Sequence, residues 1–197
     1  MSSTNLRLAI FGLLCFPTVY LFSALVTGHF KKIHPSRALL YIFSVAMIGL
    51  LGEISVDSFY NHFFHQPLWR YNFLPIHNAY TSKFSPVLWG SFGFYIYLLH
   101  HKYERWSRVE LNKLAFIFSL EAIAIEAIAD LVSRVILGKY IYYYYPAALW
   151  HITAFQNLPF YFLSGVVIIE TIHWFKASPH FFTIISAWVV TVTAYLR

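Results

Sequence analysis

The sequence predicts an all-α polytopic membrane protein with about six transmembrane helices. Of its 197 residues, 59% are hydrophobic and only 11% are charged, whereas soluble domains carry about 25% charged residues. The apolar residues also form runs long enough to cross the hydrocarbon core as helices, and the polar segments between the runs are short. We therefore expect residues 1–197 to form a single transmembrane domain.

The predicted spans follow one another along the whole chain. The first, at about residues 6–30, is interpreted as a span because no clear cleavage site of small residues follows it, as a signal peptide would require. The second and fourth are long enough to cross the bilayer with a tilt. The remaining boundaries are about 38–64, 84–100, 111–137, 158–175 and 181–195.

Acidic residues inside these apolar runs are the most informative feature of the chain. An ionisable side chain in hydrocarbon costs several kcal/mol unless it is paired, protonated or facing a wet cavity, so it predicts a functional site. Six of the eight acidic residues lie inside the runs, namely Glu53, Asp57, Glu121, Glu126, Asp130 and Glu170.

Two of these acids recur as a pattern, Glu-x-x-x-Asp, which places both carboxylates on one face of a helix. The copies lie 73 residues apart, and the same offset matches Phe43 with Phe116, Tyr71 with Tyr144, Pro86 with Pro159 and His100 with His173. We therefore predict two parallel helical-hairpin repeats, repeat A at about 38–101 and repeat B at about 111–174, related by an axis along the membrane normal.

The four repeated acids are the predicted catalytic residues. Glu53 and Glu126 are expected to act as acid and base, and Asp57 and Asp130 are expected to tune or orient them. Carboxylates that meet in a low dielectric cannot all ionise, so at least one should hold a proton and could act as a general acid. Arg134, one turn after Asp130, is expected to pair with it and leave Glu126 as the freer acid. A transported proton or hydrogen-bonded glue between helices would explain the same pattern.

The two repeat loops, residues 65–83 and 138–157, are rich in Trp, Tyr and His. They could form an interfacial aromatic belt or a lid over a cavity. A pocket in a chain with 20 Phe, 15 Tyr and 6 Trp would be apolar and π-rich, which suits a hydrophobic ligand and a developing positive charge. The predicted substrate-binding residues are Trp69, Arg70, Tyr71, Tyr144, Asn157 and Glu170.

Other chemistries find less support in the sequence. His100 and His173 could join carboxylates at a metal, but by helical rise they lie beyond the acids, so we predict no metal and no cofactor. Cys15 is the single cysteine, which excludes an intramolecular disulfide. The net charge of +6 lies in short loops and is better explained by membrane topology than by nucleic-acid binding.

Two segments resemble small integral-membrane isoprenoid enzymes. Trp69-Arg70-Tyr71 followed by Pro86, echoed by Tyr144 and Pro159, is similar to the repeat units of lycopene cyclase-type carotenoid cyclases. Those enzymes carry acids just after the proline, where this chain has Val87 and Phe160, so their catalytic residues do not carry over. The segment 157–170 (NLPFYFLSGVVIIE) resembles the final helix of the emopamil-binding sterol isomerase group. Both resemblances imply an isoprenoid or sterol substrate.

These observations predict a membrane-embedded enzyme that isomerises or cyclises an isoprenoid or another hydrophobic lipid. The alternative is a small proton- or cation-coupled transporter with carboxylates at the repeat axis, and a non-catalytic lipid-binding or assembly subunit is a third interpretation. The expected partners are the lipid substrate and the bilayer, without nucleic acid. The sequence leaves open a homo-oligomer and does not identify the membrane.

Overall fold

The computed structural model describes residues 3–100, 108–146 and 148–177, which form five α-helices. All five lie within three residues of the first five predicted runs at each end. The sixth predicted run, residues 181–195, lies outside the described residues. The helices are α1 Ser3–Thr27, α2 Pro35–Phe64, α3 Ser85–His100, α4 Arg108–Leu137 and α5 Leu158–Ala177.

Three segments are long and apolar enough to cross a membrane, which agrees with the predicted class of helical membrane protein. They are Asn5–Thr27, Pro35–Phe64 and Phe155–Trp174. The α3 helix is apolar but has only 16 residues. The α4 helix has 30 residues, but three intramembrane acids interrupt its apolar run: Glu121, Glu126 and Asp130.

Both long helices end in a residue with left-handed backbone geometry, which turns the chain back toward the bundle. After α2, His65 has φ 55° and donates its N–H to the carbonyl of Asn61. After α4, Gly138 has φ 76° and donates its N–H to the carbonyl of Arg134 at 3.0 Å. A left-handed residue is a common helix stop because its N–H satisfies a carbonyl of the last turn.

The helices pack in two pairs, α2 against α3 and α4 against α5, with further contacts between α2 and α5 and from α1 to α3 and α4. A glycine allows close approach within each pair. A Cβ atom on Gly93 would lie 2.5 Å from the carbonyl oxygen of Tyr41, and one on Gly165 would lie 3.1 Å from that of Ala115. Small residues of this kind let membrane helices pack at short backbone distances.

The two aromatic loops pair with each other through short strands that the sequence analysis did not predict. Strand β1 (Trp69–Tyr71) is antiparallel to β4 (Tyr142–Tyr144), and β2 (Pro75–Ile76) is antiparallel to β3 (Thr81–Ser82). In the first pair Arg70 lies opposite Tyr143, and both are exposed. Side chains alternate along a strand, so the other four aromatic side chains of this ribbon are buried on its inner face.

Candidate functional site

Glu53 and Glu126 line one cavity inside the bundle, closed at one end by the ribbon of β1 and β4. The cavity has two lobes, of about 30 Å³ between α2 and α5 and about 90 Å³ between α3 and α4. A water molecule requires about 10–15 Å³ on this measure, so the lobes hold a few waters or the end of a ligand. Six side chains border both lobes: Glu53, Tyr71, Trp89, Glu126, Tyr142 and Tyr161.

The carboxylate of Glu53 is buried, with 6% exposure, and receives four hydrogen bonds. Its Oε1 accepts from the hydroxyl of Tyr71 and from the indole N–H of Trp89 at 2.8 Å. Its Oε2 accepts from the hydroxyls of Thr81 and Ser85, the latter at 2.6 Å. An ionised carboxylate offers about four lone-pair positions, so these donors can satisfy Glu53 completely.

Glu126 has three such donors and is partly exposed to the cavity. Its Oε1 accepts from the hydroxyls of Tyr144 and Tyr161, the latter at 2.8 Å. Its Oε2 accepts from the hydroxyl of Thr153 at 2.6 Å. One acceptor position on this oxygen therefore has no donor among the described residues, and Glu126 is the more available of the two glutamates.

The donors to the two glutamates correspond in pairs along the chain. Tyr71 and Tyr144 lie 73 residues apart, which is the offset that the sequence predicts. The later donors correspond at 72 residues instead: Thr81 with Thr153, and Trp89 with Tyr161.

The sequence analysis missed these later donors because it aligned the repeats without a gap. A one-residue gap in the loop would have matched the two threonines at 81 and 153. The same gap pairs Ser85, which lies 3.1 Å from the hydroxyl of Tyr71, with Asn157, whose side-chain amide donates to the hydroxyl of Tyr144.

Asp57 anchors the first aromatic loop, and it does not line the shared cavity. The side chain is fully buried, and its Oδ1 accepts backbone N–H groups from Leu68 at 2.5 Å and Trp69 at 3.3 Å. Non-helical backbone at membrane depth must be satisfied by protein or water, and this carboxylate supplies the acceptor.

Asp130 makes the equivalent contacts with the second loop. Its Oδ1 accepts from the backbone N–H groups of Ile141 at 2.7 Å and Tyr142 at 3.4 Å. Of the four acids predicted to meet, only Glu53 and Glu126 border the cavity. Asp57 and Asp130 act by positioning the ribbon, as the orienting role proposed for them requires.

The predicted ion pair between Asp130 and Arg134 is not formed in residues 108–146. Arg134 is exposed, and its guanidinium carbon lies 4.8 Å from the centroid of the Tyr140 ring. Asp130 faces inward and is occupied by backbone donors, so the arginine instead makes a cation–π contact at the surface.

Four of the six predicted substrate-binding residues border the cavity: Trp69, Tyr71, Tyr144 and Asn157. The other two do not. Arg70 is exposed on the outer face of β1, with its guanidinium carbon 5.8 Å from the centroid of the Tyr145 ring. Glu170 is exposed on α5 and borders neither lobe.

The loop tyrosines that contact the glutamates stay protonated. Burial raises the pKa of Tyr71 and Tyr144 well above the ordinary value of about 10, and the neighbouring glutamates raise it further. Both phenols are therefore hydrogen-bond donors to the carboxylates at physiological pH.

The anchoring role of Asp57 predicts different results for two substitutions. Asp57→Ala removes the acceptor for two buried N–H groups, and hydrogen bonds to charged groups contribute about 1.5–3 kcal/mol, so we expect a clear loss of thermal stability in detergent. Asp57→Asn keeps an acceptor oxygen and should retain most of that stability. Equal instability of the two variants would contradict an anchoring role based on the acceptor.

Gly49 gives Trp89 the space that its hydrogen bond to Glu53 requires. A Cβ atom at Gly49 would lie 2.0 Å from Cδ2 of Trp89, whereas one at Gly52 would lie 3.8 Å from its nearest listed neighbour, Ser164 Oγ. We expect Gly49→Ala to lower stability by about 1–3 kcal/mol through overpacking, and Gly52→Ala, the matched control, to be tolerated. Thermal unfolding of both variants in detergent checks this, and equal melting temperatures would contradict it.

No protein-family model matches the chain, and neither a curated protein nor a solved structure is significantly similar to it.

Proposed function

We propose that the protein is a membrane-embedded enzyme that isomerises or cyclises an isoprenoid or another hydrophobic lipid by carboxylate acid/base chemistry. The observation that carries this proposal is the small aromatic cavity bordered by two glutamates, only one of which has a free acceptor position. Perturbed or unusual carboxylates in such a cavity are typical of acid/base sites.

Glu126 is the residue proposed to exchange a proton with the substrate. In its protonated form it gives a proton to one carbon of a double bond, which leaves a carbocation and a Glu126 carboxylate. That carboxylate then removes a proton from a carbon next to the cationic centre, which forms the shifted double bond and restores the acid. For cyclisation, a second double bond attacks the cation before the proton is removed.

Glu53 and the aromatic walls would stabilise the positive charge that this step creates. Four donors hold the Glu53 carboxylate in place, so it can act as a fixed anion without reorganising during the reaction. The rings of Trp89 and Tyr161 lie 6.0 Å apart, centroid to centroid, and border both lobes. Aromatic faces attract cations. The cycle involves no redox change, and we propose no cofactor for it.

We also infer that the chain consists of two parallel repeats and crosses the membrane about six times, the last time in residues 181–195. The paired contacts of the glutamates and aspartates support the repeats. The borders of the two lobes match as well: Gly52 with Ile125, Val56 with Ala129, Leu88 with Phe160 and Phe92 with Ser164. This correspondence is what a twofold axis between the halves would produce.

The isoprenoid class of substrate follows from the aromatic lining and from the resemblances in the repeat loops and α5. A proton- or cation-coupled transporter is the second candidate. The observation that favours it is the pair of lobes that open between different pairs of helices around the carboxylates. Flux driven by a pH gradient in proteoliposomes would identify that activity.

Solvent deuterium tests the proposed chemistry. Proteoliposomes prepared with a total lipid extract in deuterated water should convert one lipid into a species of different retention time that carries deuterium from solvent. Protein with Glu126→Gln should form none of this species. A product that forms without deuterium would contradict proton exchange with the double bond.

A further inference from the structure

A larger apolar groove lies between α1, α3 and α4. Its volume is about 280 Å³, against about 30 and 90 Å³ for the two lobes at the glutamates. The α1 helix contributes one wall through Phe11, Cys15 and Phe22, and α4 contributes another through Ile128 and Val132. No charged side chain borders the groove among the described residues.

The groove is continuous with the carboxylate cavity. Its inner end and the α3/α4 lobe share five bordering residues: Leu88, Ser91, Phe92, Ile125 and Ala129. A molecule that fills the groove therefore reaches the lobe bordered by Glu53 and Glu126 without crossing a helix.

Size separates the roles of the two spaces. Binding pockets for drug-sized ligands measure about 300–1,000 Å³. The lobes are too small for a whole lipid, and the groove approaches the lower end of that range. The reacting end of a lipid would fit beside the glutamates only if the rest of the molecule lay elsewhere, and the groove is connected to them directly.

We propose that the α1 groove binds the apolar tail of the lipid whose reacting end lies between Glu53 and Glu126. This proposal rests on the proposed function and adds how the substrate is held. Because the groove offers no charged partner, its occupant is an uncharged hydrocarbon chain of the isoprenoid type. The wall from α1 has no counterpart in the residues that border the α2/α5 lobe, so the substrate enters on the α3/α4 side.

Photoaffinity labelling tests the groove. The probe is a diazirine analogue of a long-chain isoprenoid alcohol, applied to the full-length protein in lipid nanodiscs, and the modified peptides are mapped by mass spectrometry. We expect modification of the groove faces of α1 and α4. Ile128→Trp fills the groove and should reduce labelling about tenfold. Val135→Trp, the matched control at a site that is 85% exposed and outside the groove, should not.

Cys15 offers a second readout in the wild-type chain. It is the single cysteine and it borders the groove, so its rate of modification by N-ethylmaleimide reports access to the groove. The unmodified isoprenoid alcohol should slow that modification severalfold in wild type. Labelling spread evenly over exposed positions such as Leu13 and Val135, or an unchanged maleimide rate, would overturn the proposal.

The two proposals fail separately. Glu126→Gln should keep groove labelling and lose lipid conversion. If the wild type labels at the groove but converts no lipid, the tail site stands and the enzymatic proposal fails. If the wild type converts lipid while labelling ignores Ile128→Trp, the tail site fails and the enzymatic proposal stands.

Discussion

Replacing Glu126 by Gln is expected to lower lipid conversion by about 10²- to 10⁴-fold, the usual contribution of a general acid or base, while leaving the fold intact. The amide oxygen can still accept from Tyr144 and Tyr161. The amide nitrogen would face Thr153, whose hydroxyl can reverse and accept. The variant therefore keeps its neighbours and loses the exchangeable proton.

The measurement is the initial rate of product formation in proteoliposomes, alongside thermal unfolding in detergent. Glu170→Gln is the matched control, because Glu170 is exposed on α5 and borders neither lobe. We expect that control to match wild type in rate and stability. A Glu126→Gln variant that retains its rate would remove Glu126 from the proposed mechanism.

Replacing Glu53 by Gln is expected to lower both activity and stability. The indole of Trp89 can only donate, so the amide oxygen must take the Oε1 position. The amide nitrogen then faces the hydroxyls of Thr81 and Ser85, and both must reverse to accept from it. Charge-assisted hydrogen bonds are replaced by neutral ones, and we expect a loss on the order of 2 kcal/mol.

The difference between the two glutamine variants distinguishes their roles. A melting temperature for Glu53→Gln that is clearly below that of Glu126→Gln would agree with a saturated, fixed carboxylate at position 53. Equal melting temperatures would contradict the distinction between four donors and three. Conversion by Glu53→Gln at the wild-type rate would show that no fixed anion is needed.

Helix positions could be predicted well because hydrophobic burial in a bilayer imposes long, nearly uncharged segments. All five helices in the described residues begin and end close to their predicted positions. The stop signals are local as well, since Gly138 and His65 end α4 and α2 by left-handed geometry. Local patterns of this kind need no knowledge of tertiary packing.

The convergence of Glu53 and Glu126 could also be predicted, because matched acids at one offset imply matched positions in the bundle. The contacts of Asp57 and Asp130 could not, because their partners are backbone N–H groups that carry no residue-type signal. The β1 and β4 strands, at three residues each, are too short for an alternating pattern to stand out. The α1 groove depends on how α1 lies on α3 and α4, which spacing along the chain does not specify.

Chromatographically resolved lipid mass spectrometry tests the central claim most directly. Lipids would be compared between cells carrying wild type and cells carrying Glu53→Gln with Glu126→Gln at equal expression, with retention time separating isomers of equal mass. The acid/base mechanism predicts a lipid species that appears with wild type and is absent with the double variant. Identical profiles from two folded, expressed proteins would contradict the enzymatic function and direct attention to proton flux.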